Sequence, residues 1–456
     1  MTQSKTVTEK RREVALLATL FLGTFMALLD VSIVTIALPS MQRSLGAPLS
    51  QLQWIVDGYV IALAASMLTG GALADRHGRK RVFLLGLVVF TLASAACAFA
   101  GGAGWLIAAR VVQGAAASVI TPGAMALLAL AYPEPARRAR VFGLWSTVAS
   151  LAFIAGPLVG GPLTEYLGWQ SVFLINLPLG AVAIALGRRA LSESADPAHA
   201  SVDPAGQLLA VCWIGALSFG CIEAGHLGWT APVVLTALTA AVVAFGAFVA
   251  VELRRPRPML PIRLFARPEF GMVNLSSFAI GFGTFGSFFL LSLYLQTARG
   301  AGPTEAGLQF LPYVLASSLS ANITGRVVAR HGPRVPMLTG CAALAATLLA
   351  LTALGPGTPY FVVAILFAVL GAALMLAGLP VNTMAMHVVP KERSGMASAT
   401  VNATRQTGTA LGVALLGSLV ATAPGFTTGL HRGLVVAGAV TAVVTALTAV
   451  TLRKAR

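Results

Sequence analysis

Long apolar segments recur along the whole of this 456-residue chain. A run of about 18 or more predominantly apolar residues is long enough to cross roughly 30 Å of hydrocarbon as a helix. Only 10% of the residues are charged and 57% are hydrophobic, whereas soluble domains average about 25% charged and about 45–50% apolar residues. The sequence therefore predicts an all-α transmembrane protein.

We predict fourteen spans, and we expect the first to be retained because its apolar run is longer than that of a signal peptide. The spans cover residues 14–37, 52–73, 82–102, 105–130, 140–162, 171–187, 205–224, 231–252, 270–296, 304–326, 335–354, 359–380, 396–421 and 431–452.

The basic residues are concentrated in alternate loops. With both termini on the inner side, the inner segments hold 26 of the 31 Lys and Arg, and the outer loops hold only Arg43, Arg299 and Arg432. The positive-inside rule then predicts cytoplasmic termini. We expect a multi-pass protein of the bacterial cytoplasmic (inner) membrane. The net charge of +16 indicates loops that face an anionic lipid bilayer, and we expect no nucleic-acid partner.

The chain contains an internal repeat. GALADRHGRK at 71–80 aligns with GRVVARHGPR at 325–334, each in a predicted inner loop. Duplicated halves of parallel topology are typical of two-bundle transporters. We therefore predict an N-terminal six-helix bundle in 1–190, a linker with two inserted transmembrane helices in 191–268, and a C-terminal six-helix bundle in 269–456. Within the linker, Asp203 and Pro204 suit the N-cap and first turn of the first inserted helix.

The repeat begins in the charged stretch GGALADRHGRKR, which the glycines bracket. Gly71 lets neighbouring helices approach and Gly78 permits a tight turn, while Asp75 can meet an arginine or a helix N-terminus. The stretch resembles the signature loop of the major facilitator superfamily, G-x-L-A-D-R-x-G-R-K-R. The resemblance implies that fold, with a conformational gate that also includes Arg76 and Arg79; the alternative is a solvated basic turn.

Asp30 lies deep in the first span, within LLDVSIVTIALP. A charge there costs about 2.5–3.5 kcal/mol, so the carboxyl must pair, face water or take up a proton. The run resembles the L-D-x-(S/T)-x-V-x-x-A-L-P signature of the fourteen-span drug:proton antiporters, which implies an essential, proton-coupling aspartate. The alternative is a helix-packing aspartate satisfied by hydroxyls such as those of Ser32 or Thr35.

Span four contains RVVQG, with Arg110 inside the apolar run and Gln113 one turn further on nearly the same face. The run resembles the R-x-x-Q-G motif of the superfamily, which implies that Arg110 takes part in proton coupling. A purely structural arginine is the alternative. Whether Arg110 meets Asp30 is open at this stage.

Span five carries small residues at Ala152, Gly156 and Gly160, spaced four apart, so that another helix can slide along them closely. Pro157 removes one backbone hydrogen bond and can kink the helix. The run, with Gly161, resembles the antiporter motif G-x-x-x-G-P-x-x-G-G, with Ala152 in place of the first glycine. The resemblance implies exchange rather than uniport or symport.

Further polar residues lie near or within spans. Asp57, near the outer end of span two, is either a cation-attracting carboxylate at a cavity mouth or a solvated acid. Trp54, Tyr59 and Gln113 are further substrate- or cation-binding candidates, although the two aromatics are also typical of interfacial anchors. Arg405 lies in a run that resembles the family's N-x-x-R-Q-x-G-x-x-L-G, and its role is open; binding of backbone carbonyls is one possibility.

Together these resemblances imply a proton-coupled antiporter that exports amphipathic small molecules, such as drugs, antibiotics and monovalent lipophilic cations, by alternating access. The alternatives are a dedicated exporter of one endogenous metabolite or antibiotic, and a nutrient transporter. We expect a monomer whose partners are a small-molecule substrate, protons and the lipid bilayer.

An enzyme is not expected, because the sequence contains no P-loop and no nucleophile–base set. We also expect no metal and no cofactor, and take the proton gradient as the energy source. The four cysteines show no metal-ligand spacing and are predicted to be thiols in helix cores: Cys97, Cys212, Cys221 and Cys341.

Overall fold

The computed structural model describes residues 2–195, 203–255, 258, 260, 262–389 and 394–454. These residues form fourteen long helical segments and no strand. The helices are α1 Thr2–Leu45, α2 Leu49–His77, α3 Arg79–Ala98, α4 Ala103–Ala131, α5 Pro135–Leu167, α6 Ser171–Ala190, α7 Pro204–Leu227, α8 Pro232–Arg254, α9 Pro268–Ala298, α10 Pro303–Gln309 continued by Leu311–His331, α11 Arg334–Ala353, α12 Tyr360–His387, α13 Ser394–Ala421 and α14 Phe426–Lys454.

The all-helical prediction is confirmed within the described residues. Twelve of the helices are long and apolar enough to cross a membrane, and α10 and α13 are the other two. The predicted start of α7 is also confirmed, because the Asp203 side chain accepts a hydrogen bond from the backbone N–H of Gly206 and Pro204 occupies the first turn. In α9, the segments Gly281–Phe285 and Tyr294–Ala298 are π-helical turns.

Contacts between helix ends indicate that successive helices run in alternating directions, which puts the N-terminal end of α1 and the C-terminal end of α14 at the same end of the molecule. Arg137 forms an ion pair with Glu13 at 2.6 Å, and Lys80 Nζ donates to the carbonyl of Arg188 at 2.9 Å. We call this the terminal end and the other the opposite end.

Helices α1–α6 form an N-terminal group and α9–α14 a C-terminal group, and α2 packs against α13 where the two groups meet. Helix α7 packs against both α2 and α13, and α8 packs mainly against α7. Trp54 of α2 lies 6.2 Å from Phe219 of α7, ring to ring. The α7–α8 pair therefore covers one seam between the groups.

The hydrogen bonds that the structure describes between the two groups lie toward the opposite end. Gln53 Nε2 donates to the carbonyls of Val413 and Ala414 at 3.0 and 2.8 Å. Ser292 donates to the carbonyl of Thr35 at 2.9 Å. The terminal half of α5 leaves Gly143 and Ser146 exposed, among other residues. The described hydrogen bonds therefore join the two groups at the opposite end. We call the space between the two groups on the terminal side of these bonds the cleft.

Candidate functional site

Asp30 and Arg110 meet inside the N-terminal group. Arg110 Nη1 donates to Asp30 Oδ2, and the two side chains are 2% and 0% exposed, respectively. Gln113 Nε2 donates to Asp30 Oδ1 at 2.9 Å, and Arg110 Nε donates to the carbonyl of Ile55 at 3.1 Å. The two opposite charges thus form an ion pair that is shielded from water. Removal of either side chain would leave the other charge buried and unpaired, which is strongly destabilising.

The hydroxyls proposed as alternative partners of Asp30 point elsewhere. Ser32 donates to the carbonyl of Leu29 at 3.1 Å, and Thr35 donates to that of Val31 at 3.2 Å. Both bonds lie within α1. Asp30 is therefore held by groups from α4 and not by its own helix.

A second set of polar side chains supports this cluster, and the sequence reasoning missed it. Gln113 Nε2 and Asn176 Nδ2 both donate to Ser94 Oγ, at 3.2 and 3.0 Å. Ser94 in turn donates to the carbonyl of Phe173 at 3.1 Å. The only signal in the sequence was the presence of polar residues, Ser94 and Asn176, in otherwise apolar spans. That signal does not show which residues they contact.

Tyr59 belongs to the same cluster. Its ring centroid lies 4.2 Å from Arg110 Cζ, and its hydroxyl donates to the carbonyl of Ala27 at 3.2 Å. The side chain is buried, so it neither anchors α2 at the membrane surface nor lines the cleft. Gln113, likewise predicted to bind substrate, is fully buried against Asp30 and Arg110.

Gly114 sets how closely α4 approaches α2. A Cβ at this position would overlap the backbone oxygen of Tyr59 and lie 2.8 Å from its backbone carbon. We expect Gly114→Ala to lower the stability of the folded protein by about 1–3 kcal/mol, because the backbone of α2 must move. Thermal unfolding in detergent measures the change. Gly104→Ala, on the same helix but with no atom within 4 Å, is the control, and an equal loss in both variants would contradict the prediction.

The predicted gate residues lie at the turn between α2 and α3. Gly78 has φ +105°, which favours glycine, and the tight turn is confirmed. Asp75 pairs with Arg79 of the same turn at 2.7 Å, and Arg76 is exposed. The close approach expected at Gly71 is wrong, since a Cβ there meets nothing within 4 Å; Gly70 is the residue that faces α4, with Val119 at 2.7 Å.

Glu193, which follows α6, binds this turn and was not identified from the sequence. Its carboxylate accepts hydrogen bonds from the backbone N–H groups of Lys80 and Arg81, at 3.0 and 3.2 Å. The N–H of Arg79 also donates to the carbonyl of Ser194 at 2.8 Å. A carboxylate at the N-terminus of α3 suits the helix dipole, so the segment after α6 ties the turn to its own group.

The small residues of α5 lie against two different helices. Ala152 is fully buried, and Cβ atoms at Gly156 and Gly160 would overlap Ser32 or Ile33 of α1. A Cβ at Gly161 would lie 2.7 Å from the carbonyl oxygen of Pro303 in α10. Similarly, a Cβ at Gly307 of α10 would overlap the carbonyl oxygen of Pro157. The stripe thus joins the N-terminal group to α10 at the opposite end.

Asp57 is 0% exposed, and neither carboxylate oxygen has a hydrogen-bond partner among the described residues. The prediction of a solvated acid or an open cavity mouth is therefore wrong for this conformation. The reason is that α7 and α13 cover this part of α2, through the contacts of Trp54 and Gln53. Trp54 correspondingly packs on α7.

An apolar, largely aromatic pocket lies between the two groups. Phe153 of α5 lies 5.8 Å from Phe285 and 5.9 Å from Phe288 of α9, ring to ring. The remaining wall comes from α1, α2, α9 and α13: Val31, Thr35, Val56, Val60, Phe289, Thr409 and Val413. Its free volume is about 20 Å³, which is close to the space of one water molecule. The apolar body of a ligand would therefore fit here only when the two groups move apart.

Arg405 lies in α13, one turn before the pocket residue Thr409. Its Nη2 donates to Asn402 Oδ1 at 2.6 Å, and the side chain is half-buried. Among the described residues it forms no ion pair and donates to no backbone carbonyl. The cysteines at positions 97, 221 and 341 are buried as predicted, but Cys212 is exposed on α7.

Comparison with known proteins places this fold. The family model described as the Major Facilitator Superfamily matches residues 20–413, and a second match covers 273–455. The chain belongs to the Major Facilitator Superfamily. The family predicted from the gate motif is thereby confirmed, and this member of the superfamily is a multi-pass membrane protein with many apolar helices.

Curated relatives in the superfamily carry names of resistance proteins. The methylenomycin A resistance protein of Bacillus subtilis (strain 168) is 38% identical over 89% of this chain and 87% of that protein. Multidrug resistance protein Stp of Mycobacterium tuberculosis (strain CDC 1551 / Oshkosh) is 36% identical over 88% of this chain and 74% of that protein.

A solved structure agrees with the superfamily fold. A POT family transporter crystallised in complex with a thioalcohol conjugated peptide superposes with a TM-score of 0.70, covering 96% of both chains. Its sequence identity is 13%, so the similarity concerns the fold alone.

Proposed function

We propose that this protein is a proton-coupled antiporter that exports amphipathic small molecules, including drugs or antibiotics, across the bacterial cytoplasmic membrane. The observation that carries the proposal is the buried cluster of Asp30, Arg110 and Gln113. The cluster also contacts α2, through the bond from Arg110 to the carbonyl of Ile55, and α2 packs against α13 at the seam between the groups. A titratable pair of this kind, within a two-group transporter fold, is suited to respond to a proton.

We further propose fourteen spans with both termini in the cytoplasm, so that the terminal end is the cytoplasmic one. The basic residues of the α2–α3 turn, of α5 and of α6 lie at that end, as the positive-inside rule requires. The cleft then lies on the cytoplasmic side of the bonds between the groups, where an exporter must collect its substrate.

Protonation of Asp30 is the proposed trigger. A neutral Asp30 no longer compensates the Arg110 guanidinium, which also binds the carbonyl of Ile55 in α2. Since an uncompensated buried charge is strongly unfavourable, α1, α2 and α4 rearrange around it. Helix α2 also contacts α13 through Gln53, so the rearrangement reaches the seam between the groups.

Asp57 is proposed as a second proton carrier. Its buried carboxyl has no hydrogen-bond partner among the described residues, and an isolated carboxylate in such a place costs several kcal/mol. We therefore propose that it is neutral while α7 and α13 cover it. Opening of the opposite end would expose it to water.

The names of the relatives indicate a broad class of substrate and no single compound. Their names include resistance to methylenomycin A and to multiple drugs, which supports drug export and leaves a dedicated antibiotic exporter as the narrower alternative. The energy source in this proposal is the proton gradient, with no cofactor and no enzymatic step.

Proton-coupled export is tested with everted membrane vesicles from a bacterial host that lacks its main efflux pumps. The vesicle interior is acidified by respiration and monitored with a pH-sensitive acridine dye. We expect methylenomycin A, or one of a panel of amphipathic drugs, to release protons from vesicles that contain the protein and not from vesicles with the empty vector. Drug uptake that persists after nigericin and valinomycin collapse the gradients would contradict proton coupling.

A further inference from the structure

We propose that Arg405 is the substrate-recognition residue of the cleft, and that the preferred substrates are amphipathic organic anions, carboxylates in the first place. This inference rests on the export function proposed above and specifies its substrate class. It is argued from the charges that remain uncompensated in the cleft and from the surface beside them.

Arg405 lies near the middle of α13, is half-buried, and forms no ion pair among the described residues. Asp30 and Arg110 compensate each other, and Asp57 is fully covered. The described acidic residues of the C-terminal group, Glu269 and Glu305, lie in the first turns of α9 and α10. The middle of the cleft therefore carries net positive charge.

The helices packed around α13 indicate that the Arg405 side chain faces the cleft rather than lipid. Helices α2, α7, α9, α12 and α14 all pack against α13. A half-buried side chain on so enclosed a helix faces internal space. An arginine at this depth is costly to place in a membrane, and a purely structural role with a single neutral partner does not offset that cost.

A hydrogen bond to Asn402 fixes the orientation of the Arg405 guanidinium. Asn402 Oδ1 accepts from one terminal nitrogen, while the Asn402 amide donates to the carbonyl of Ser398 at 3.0 Å. This bond holds the guanidinium in place and leaves its other N–H groups available for a ligand. A planar guanidinium matches a carboxylate with two parallel hydrogen bonds.

The apolar pocket lies at the right distance for the rest of such a molecule. Thr409, four residues after Arg405, lines the pocket with Phe153 and Phe285, and four helical residues rise about 6 Å. The π-helical turn Gly281–Phe285 packs directly on the backbone of Arg405 and Thr409. Such turns are frequent at functional sites, and this one supplies a pocket ring, Phe285.

The test uses three probes with one apolar body and different charges: 1-pyrenebutyrate, its primary amide, and (1-pyrenebutyl)trimethylammonium. Binding to the full chain in lipid nanodiscs is followed by pyrene fluorescence. We expect the wild type to bind the carboxylate at least about tenfold more tightly than the amide, because charged hydrogen bonds replace neutral ones. We expect Arg405→Gln to weaken carboxylate binding about ten- to hundredfold and amide binding hardly at all.

Arg405→Lys keeps the charge without the planar fork, so we expect it to retain part of the selectivity. The control is Arg432→Gln, an exposed arginine at the opposite end, which should bind as the wild type does. Amide binding by Arg405→Gln shows that the variant is folded. The proposal is overturned if the wild type binds none of the probes, if it prefers the ammonium or the amide, or if Arg405→Gln weakens all three alike.

Export of the carboxylate probe from the same vesicles used for proton coupling separates the two proposals. Selective, Arg405-dependent binding without proton-driven export would support the anion site and contradict the export function. Proton-driven export of the ammonium probe that is unaffected by Arg405→Gln would support export and overturn the anion site.

Discussion

Asp30→Asn is expected to abolish proton-driven export, by about a hundredfold or more, while exchange of substrate for substrate continues. Asparagine cannot release a proton, so the step in which Asp30 returns to the form that pairs with Arg110 is lost. Exchange needs only binding and movement of the two groups. Proteoliposomes that are tested first with a pH gradient and then with substrate on both sides measure the two activities separately.

The single variant also leaves a buried guanidinium without its counter-charge, which destabilises a folded protein by about 3–5 kcal/mol. A double variant, Asp30→Asn with Arg110→Gln, removes both charges and leaves a cluster of neutral amides with Gln113. We expect the double variant to unfold at a higher temperature than the single variant and to remain uncoupled. Loss of coupling in both then cannot be attributed to misfolding.

Glu305→Gln is the matched control, because Glu305 is an exposed carboxylate at the start of α10. It should export at the wild-type rate. Proton-driven export by Asp30→Asn at a rate close to that of Glu305→Gln would show that Asp30 does not carry the coupling proton.

The sequence predicted best which residues belong to helices and how far along each helix a given residue lies. Hydropathy and loop charge located the helices, and the start of α7 at Asp203 and Pro204 followed from capping chemistry. The two breaks of α9 into π-helical turns were not predictable. The first turn lies where the α9 backbone packs against α13, whereas Tyr294–Ala298 packs against α10 and α14. No local residue preference encodes such contacts.

The rotation of each helix about its axis was the main quantity that the sequence left undetermined. Spans that are apolar all round have no polar face to show which side is buried. For this reason Gly71 was assigned the close contact that Gly70 makes. Tyr59 was likewise considered at the membrane surface, although it lies beneath Arg110.

Contacts between distant segments were also beyond the sequence. Arg110 and Asp30 could each be recognised as costly intramembrane charges, but their pairing depends on how α1 and α4 are placed. Asp57 was misplaced because the covering helix, α7, belongs to the inserted pair. Its position at the seam between the groups has no signature in composition or spacing.

Leucine at Gly161 is expected to prevent closure of the opposite end and to reduce export about a hundredfold. A Cβ at Gly161 would already lie 2.7 Å from the carbonyl oxygen of Pro303 and 2.8 Å from Thr304 Cα. These are backbone atoms that cannot rotate away, so the larger side chain keeps α5 and α10 apart. A hundredfold change in the population of the closed arrangement corresponds to about 2.8 kcal/mol, which lies within the cost of about 1–3 kcal/mol that is typical of overpacking.

The change of conformation is measured by labelling a cysteine in the cleft. Ser146→Cys, in the exposed terminal half of α5, is introduced with Cys212→Ser, because Cys212 is the one exposed native thiol of the described residues. In the orientation proposed above, a membrane-impermeant maleimide added to everted vesicles reaches the terminal end. We expect the Gly161→Leu protein to label at least about tenfold more slowly, since the cleft closes at that end when the opposite end is held open.

Gly307→Leu changes the other side of the same contact, where a Cβ would overlap the carbonyl oxygen of Pro157. It should slow labelling and export in the same way, which distinguishes a blocked interface from a local defect in α5. Gly246→Leu on α8, where no atom lies within 4 Å, should change neither. If both interface variants fold and still label as fast as the wild type, closure at the opposite end does not depend on this crossing of α5 and α10.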